Sequence, residues 1–164
     1  MKYLDVEIRP MTDNDLPMVM EIENLTIHNP YKEKDFLYEM HENPVSNVWV
    51  IEYSNKSLGL KTVVGFLDFW ITFDSGTICQ IAVHPDIQSS GVGSELMKEM
   101  IKELKVKKVR TMTLEVRASN YKAINFYKKF GFRPVIVKEG YYVDGEDALY
   151  MMLEVNGNGE NSCS

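Results

Sequence analysis

The chain has 164 residues, 45% of them hydrophobic and 26% charged, with 18 Lys+Arg against 24 Asp+Glu for a formal charge of −6. A chain of that size can bury roughly 70% of its unfolded surface, so it fits one globular domain over residues 1–155 that needs no disulfide or structural metal. The acidic balance argues against a general binder of nucleic acid or anionic membrane, and leaves any anionic ligand to be held by local geometry.

Cys79 and Cys163 are the only cysteines, which gives neither a disulfide framework nor a Cys-based zinc site, and His28 and His41 show no metal-ligand pairing. No metal is expected. The opening Met1-Lys2-Tyr3-Leu4-Asp5 lacks the apolar core of a signal peptide, and no apolar run approaches the length of a bilayer span. These features predict a protein of the reducing cytoplasm. Residues 156–164 are too polar to bury and read as a disordered tail.

A short strand is predicted over residues 4–9. Thr12-Asp13-Asn14-Asp15 then resembles a capping box, opening a helix with Leu16, Val19, Met20 and Glu23 at helical spacing. A second helix covers 33–42. Between them, residues 26–31 form a loop, because Pro30 drives Asn29 out of helical geometry. Trp49 to Ile51, Val63 to Phe73 and Thr77 to Val83 are rich in β-branched and aromatic residues and read as an antiparallel meander. The period then changes: Leu96, Met97, Met100, Ile101 and Leu104 make one apolar helical stripe that opens near Gly93. Residues 111–117 return to alternation, with Met112, Leu114 and Val116 on one face. Ser119 or Asn120 caps a helix carrying Ile124, Phe126, Tyr127 and Phe130, which Gly131 ends. Finally, Asp144-Gly145 predicts a two-residue hairpin between a strand at 141–143 and one at 148–155. The sum is an α/β domain around one mixed sheet, with a meander first and a β-α-β crossover in the middle.

The most informative segment runs from Gln80 to Ser94: a strand, a turn with Gly91 and Gly93, and a helix start. Unpaired backbone N–H groups at such a start, with the positive end of the helix dipole, make a phosphate-sized anion site. The spacing Gln-x-x-Gly-x-Gly has no Gly-Lys-Ser/Thr and no third glycine, so nucleoside triphosphate and NAD are disfavoured. By itself the pattern is also that of a tight turn.

Four segments resolve this: Gln88-Ser89-Ser90-Gly91-Val92-Gly93, residues 114–120 (LEVRASN), residues 123–132 (AINFYKKFGF) and residues 141–148 (YYVDGEDA). Together they resemble GNAT-fold acetyltransferases, and within them the protein N-terminal branch of Rim-type and Ard-type enzymes. The resemblance is dense from about residue 76 to 153 and thin before. It implies a GNAT fold and acetyl-CoA as co-substrate, with the backbone of Gln88, Ser89, Ser90, Gly91, Val92 and Gly93 around its pyrophosphate. It also implies that Ile81, Ala82 and Val83 pair with the pantetheine arm as an added strand would. Asn120 and Tyr127 would lie toward the thioester, and Lys128 and Lys129 toward the adenine phosphates, unless those lysines only face water and complement the helix dipole.

An α-amino group has a pKa of about 7.7–8.0 against about 10.4 for a lysine side chain, so N-terminal acetylation needs only a modest base. Resemblance to the Rim-type enzymes assigns that role to Glu115, through water, and the proton for the departing sulfur to Tyr127. The residues leave room for a Glu115 paired with Arg117 and for a Tyr127 that only packs. Tyr31 and Tyr142 match the aromatics that clamp an extended N-terminus, or stabilise their own loop and hairpin. Ard-type enzymes commonly carry Pro-Glu-Asn-Tyr between their first helices; here His28-Asn29-Pro30-Tyr31-Lys32 is closer to the Rim-type loop. The implied partners are protein N-termini, a ribosomal protein among them. The alternatives are an acetyltransferase for lysine or a small amine, and a non-catalytic acyl-CoA-binding subunit.

Overall fold

A computed structural model describes residues 5–155; the tail of residues 156–164, with Cys163, lies outside the described residues, as does Leu4. In chain order the elements are β1 (Asp5–Pro10), α1 (Leu16–Thr26), α2 (Glu33–His41), β2 (Ser46–Asn55), β3 (Leu60–Thr72), β4 (Ser75–Val83), α3 (Val92–Val106), β5 (Thr111–Arg117), α4 (Tyr121–Lys129), β6 (Arg133–Lys138) and β7 (Ala148–Glu154). The strands form a mixed sheet in the order β1-β2-β3-β4-β5-β7-β6. β4 and β5 are parallel, as a crossover through α3 allows, while β1–β2, β2–β3, β5–β7 and β6–β7 are antiparallel. Contacts divide the chain into two compact units, one of residues up to Trp70 with Cys79–Met100, the other of Ile71–Ile78 with residues from Ile101 on.

In the first unit, the capping residue predicted at the start of α1 is tied from both sides. The Thr12 N–H donates to Asp15 Oδ2 at 2.8 Å, and Arg9 forks onto both Asp15 oxygens at 2.8 and 2.9 Å. The guanidinium, more than burial, sets the balance and holds the Asp15 carboxyl below its ordinary range. Val19 and Ile22 of α1 and Phe36 of α2 are fully buried against Val50 and Phe66 of the sheet. Phe36 meets Phe66 edge to face, with centroids 5.5 Å apart. Gly65 sits where the register of β2 on β3 shifts, and a Cβ there would lie 3.0 Å from the Ala82 carbonyl oxygen and 3.1 Å from Ile51 Cγ2. No larger residue fits without moving β4.

This core also buries acid. Glu23 lies on the apolar stripe of α1 and is as inaccessible as its neighbours, and Glu39 and Asp68 are 5% and 0% exposed. Glu23 Oε2 accepts the Tyr31 N–H at 2.8 Å, Glu39 accepts Trp70 Nε1 at 2.6 Å and Asn43 Nδ2 at 2.7 Å, and Asp68 Oδ1 accepts Ser46 Oγ at 3.2 Å. Burial first, and the neighbouring Glu39 second, push the Asp68 carboxyl up to about 9.

In the second unit, Met112, Leu114 and Val116 of β5 are buried, as their alternation predicts, and β7 pairs along the whole of β5. Two expectations fail beside it. Residues 141–143 are not a strand; the strand before β7 is β6, at the sheet edge, and its Val135, Ile136 and Val137 are each at least 50% exposed. The Asp144-Gly145 turn does form, with the Gly145 N–H donating to the Tyr142 carbonyl at 2.8 Å and Gly145 at φ 90°, but within an irregular loop over residues 139–147 rather than a two-residue hairpin.

Phe66→Ala removes a fully buried ring and is expected to destabilise the protein by about 3–5 kcal/mol. Urea unfolding would show it as a lower midpoint with an unchanged slope; a midpoint that stays put would mean that the first unit's core does not depend on this ring.

Candidate active site

The turn from β4 into α3 is shaped by two left-handed residues, Ser89 at φ 67° and Gly91 at φ 91°. The Glu95 N–H donates to the Gly91 carbonyl at 3.0 Å, as the first bond of α3. The N–H groups of residues 91–94 therefore precede any intrahelical acceptor and stand at the positive end of a helix spanning Val92–Val106. The Gln88 side chain turns back, its Nε2 donating to the Val83 carbonyl at 3.2 Å. Ser90 Oγ is buried with no hydrogen-bond partner among the described residues.

Upstream, β4 pairs with β5 only through Ser75, Gly76 and Thr77 among the described residues. The His84 N–H donates to the Val64 carbonyl of β3 at 2.8 Å. Because backbone groups alternate along a strand, Ala82 faces β3 like His84, and Ile81 and Val83 turn their amides away from it. Of those outward groups, the Val83 carbonyl is held by Gln88.

Within the second unit, Glu115 and Arg117 share a face of β5 but do not pair with each other. Lys138 Nζ of β6 donates to Glu115 Oε1 at 2.7 Å and lies 4.7 Å from the centre of the Tyr150 ring between them. Arg117 instead donates to Asp144 Oδ2 at 2.8 Å and Glu146 Oε1 at 3.0 Å, and its guanidinium carbon stands 4.1 Å over the Tyr142 ring. The Ser119 N–H donates to Glu146 Oε2 at 3.0 Å; bonds from Ser119 and then Arg117 hold the Glu146 carboxyl below its ordinary range. Burial pushes the Tyr142 phenol up, against the pull of Arg117. Tyr142 is thus held in place by a cation, with its ring also edge-on to Tyr141 at 5.1 Å.

Tyr127 is half-buried, its ring edge-on to Phe126 at 5.6 Å and to Phe132 at 5.8 Å. Burial first, and Tyr142 second, push its phenol well above the ordinary range, so its oxygen keeps its proton through neutral pH. Asn120 is the N-cap of α4, its Oδ1 accepting the Ala123 N–H at 3.2 Å. Lys128 and Lys129 are exposed, the second with Nζ 5.5 Å from the rings of both Phe126 and Phe130. In the first unit, Tyr31 packs edge-on against Phe36 at 5.4 Å. The residues that sequence reasoning missed are Lys138, Asp144 and Glu146: the first belongs to a strand it did not draw and the other two to a loop it read as a tight hairpin, although the excess of acid after Gly140 was there to suggest a partner for Arg117.

This fold, with a glycine-rich turn leading into the crossover helix, is that of an acyl-group transferase. The chain belongs to the acetyltransferase (GNAT) family, whose model matches residues 16–132, and it is accordingly an N-acetyltransferase using acetyl-CoA. A Bacillus subtilis (strain 168) protein provisionally named as a ribosomal protein bS18-alanine N-acetyltransferase is 35% identical over 150 residues, covering 91% of this chain and 95% of its own. The crystal structure of the ribosomal-protein-S18-alanine N-acetyltransferase from Escherichia coli superposes with a TM-score of 0.80 at 32% identity, over 96% of this chain and 98% of that one. Ard1 from Thermoplasma volcanium gives a TM-score of 0.79 at 28% identity, over 91% and 97%.

Arg117→Ala is expected to release the loop over residues 139–147 without unfolding the sheet. Amide exchange in that loop should accelerate by at least about tenfold, matching the loss of charge-assisted bonds, while β5 and β7 stay protected. Equal protection in the variant would show that the guanidinium is not what holds the loop.

Proposed function

We propose that this enzyme acetylates the free N-terminal amine of proteins, with a ribosomal protein that begins in alanine among its substrates, in the cytoplasm. The observation that carries the cofactor side is the first turn of α3, where the N–H groups of residues 91–94 lie ahead of any intrahelical acceptor and follow a glycine at φ 91°. These residues fit a diphosphate, with Gln88, Ser89 and Ser90 shaping the approach. Ile81 and Val83 present outward backbone groups to an extended pantetheine arm, and Ala82 keeps the strand on β3. Gln88 competes for one of those groups, so its side chain swings away on binding or leaves the Val83 N–H as the contact. Asn120, Lys128 and Lys129 complete the cofactor side of α4.

Acetyl-CoA supplies an activated thioester carbonyl. Glu115 takes the proton released by the attacking amine, through water. Its carboxylate is paired with Lys138, and a carboxylate suits an α-amine at about 7.7–8.0 far better than a lysine at about 10.4. That contrast favours N-termini over side chains. Tyr127 Oη holds the proton that the departing sulfur needs. Tyr142, fixed by Arg117, and Tyr31, packed on Phe36, clamp the first residues of the substrate.

Three measurements test this. An alanine-first peptide should be acetylated with its N-terminus free and not when it is blocked, even with a lysine present, and kcat/KM should rise with pH as the α-amine loses its proton. Acetylation of the blocked peptide would move the enzyme to lysine or small amines, and binding of acetyl-CoA without turnover of any amine would leave only a binding role. Gly91→Val should weaken acetyl-CoA by at least about tenfold in calorimetry, since a β-branched residue cannot hold positive φ. Tyr127→Phe should lower kcat by about a hundredfold with little change in acetyl-CoA affinity; an unchanged kcat would remove the acid from Tyr127.

A further inference from the structure

Lys138 is the last residue of β6 and stands at the root of the loop over residues 139–147. The register of the sheet sets its neighbours: Ala148 of β7 lies opposite both Lys138 and Arg117, and Tyr150 lies opposite both Glu115 and Ile136. Opposite residues of antiparallel strands share a face, so Glu115, Arg117, Tyr150 and Lys138 all project from one side of the second unit. β5 and β6 are two strand spacings apart, roughly 10 Å, which only a long side chain crosses. The ammonium crosses it on the diagonal: Lys138 Nζ donates to Glu115 Oε1 at 2.7 Å, with the centre of the Tyr150 ring at 4.7 Å and that of Tyr141 at 5.4 Å.

A pair of mobile surface side chains would fix little, but both ends of this one are constrained. The Lys138 and Glu115 side chains are 37% and 25% exposed, and the bond to Glu115 holds the ammonium above its ordinary range, so the cation persists through neutral pH. Arg117, the other cation on this face, is committed to Asp144 and Glu146. We infer that Lys138 is a positioning residue for acetyl transfer: by its bond to Oε1 it sets the orientation of the Glu115 carboxylate and leaves Oε2 to the water that takes the amine proton. This rests on Glu115 as the base proposed above. Lys138 exchanges no proton itself and acts only through that carboxylate. The same ammonium packs on Tyr141, whose ring is edge-on to Tyr142 at 5.1 Å, so the base is aligned by the segment that carries the proposed peptide clamp. Base and clamp are thereby set on one frame, and an ordered loop brings both into place together.

The test is a double-mutant cycle on the full chain, with an alanine-first peptide and saturating acetyl-CoA. Lys138→Met keeps the length of the side chain and removes the cation. It should lower kcat by at least about tenfold, since a misplaced base loses much of its contribution, while KM for the peptide and affinity for acetyl-CoA stay within about twofold. Lys138→Arg restores a cationic donor and should bring kcat back to within about threefold of the native enzyme. Glu115→Gln should lower kcat by about a hundredfold, and adding Lys138→Met to it should cost no more than about twofold further, because the lysine acts through a group already removed. The pair is part exposed, so the unfolding midpoint should hardly move and the kinetic changes belong to the site rather than to the fold. A Lys138→Met enzyme with native kcat overturns the inference, as does a loss confined to KM, or one equally large with and without the Glu115 carboxylate. A Glu115→Gln enzyme with native kcat is a different failure: it removes the base itself, and the role of Lys138 with it.

Discussion

A main-chain amide without a carbonyl to bind is the constraint on which the rest of this structure depends. Helix α3 must leave its first-turn N–H groups unpaired, because no turn of helix precedes them. Gly91, at φ 91°, brings the chain into that turn in a conformation that a side chain would resist. A parallel strand pair that stops after Thr77 adds the outward groups of Ile81 and Val83 on the preceding strand. On the proposed reading, a diphosphate followed by an amide-bearing arm would bring acceptors and donors to these groups in the same order.

The cations of the second unit are distributed by a different logic. Arg117 and Lys138 lie on neighbouring strands, and each could in principle take Glu115. The guanidinium goes to the loop instead, where two carboxylates and an aromatic face offer it a fork and a stacking surface together, which an ammonium could not use as well. Lys138 then reaches Glu115 over the Tyr150 ring. One exchange of partners therefore settles both the position of Tyr142 and the charge beside Glu115.

Local signals made much of this legible in the sequence. The capping pattern at Thr12–Asp15, the stripe of Leu96, Met97, Met100 and Leu104, the alternation of β5, and Gly131 at φ 101° after α4 are each decided by neighbours a few residues apart. What was misread depends on distant partners. β6 carries Pro134 and exposes both faces at the sheet edge, so it has no alternation to detect, while Tyr141 to Val143 look like a strand but are drawn into a loop by Arg117. The alternative that paired Glu115 with Arg117 does not form for the same reason: its partner, Lys138, belongs to the strand that was not seen. The buried acids were least visible of all, since Glu39, Asp68 and Cys79 are brought together only by the packing of α2 on the sheet.

The environments of Glu115 and Tyr127 bear on how the transfer can run. Glu115 lies beside the Lys138 ammonium, whereas a phenol among Phe126, Phe132 and Tyr142 stays protonated well past neutral pH. Raising the phenol widens its gap from a thiol, which makes it a poor acid for a free thiol's proton equilibrium but a dependable hydrogen-bond donor to a sulfur that is already gaining charge. On the proposed reading, Tyr127 would stabilise the thiolate as it forms, with full proton transfer completed after the carbon–sulfur bond has broken.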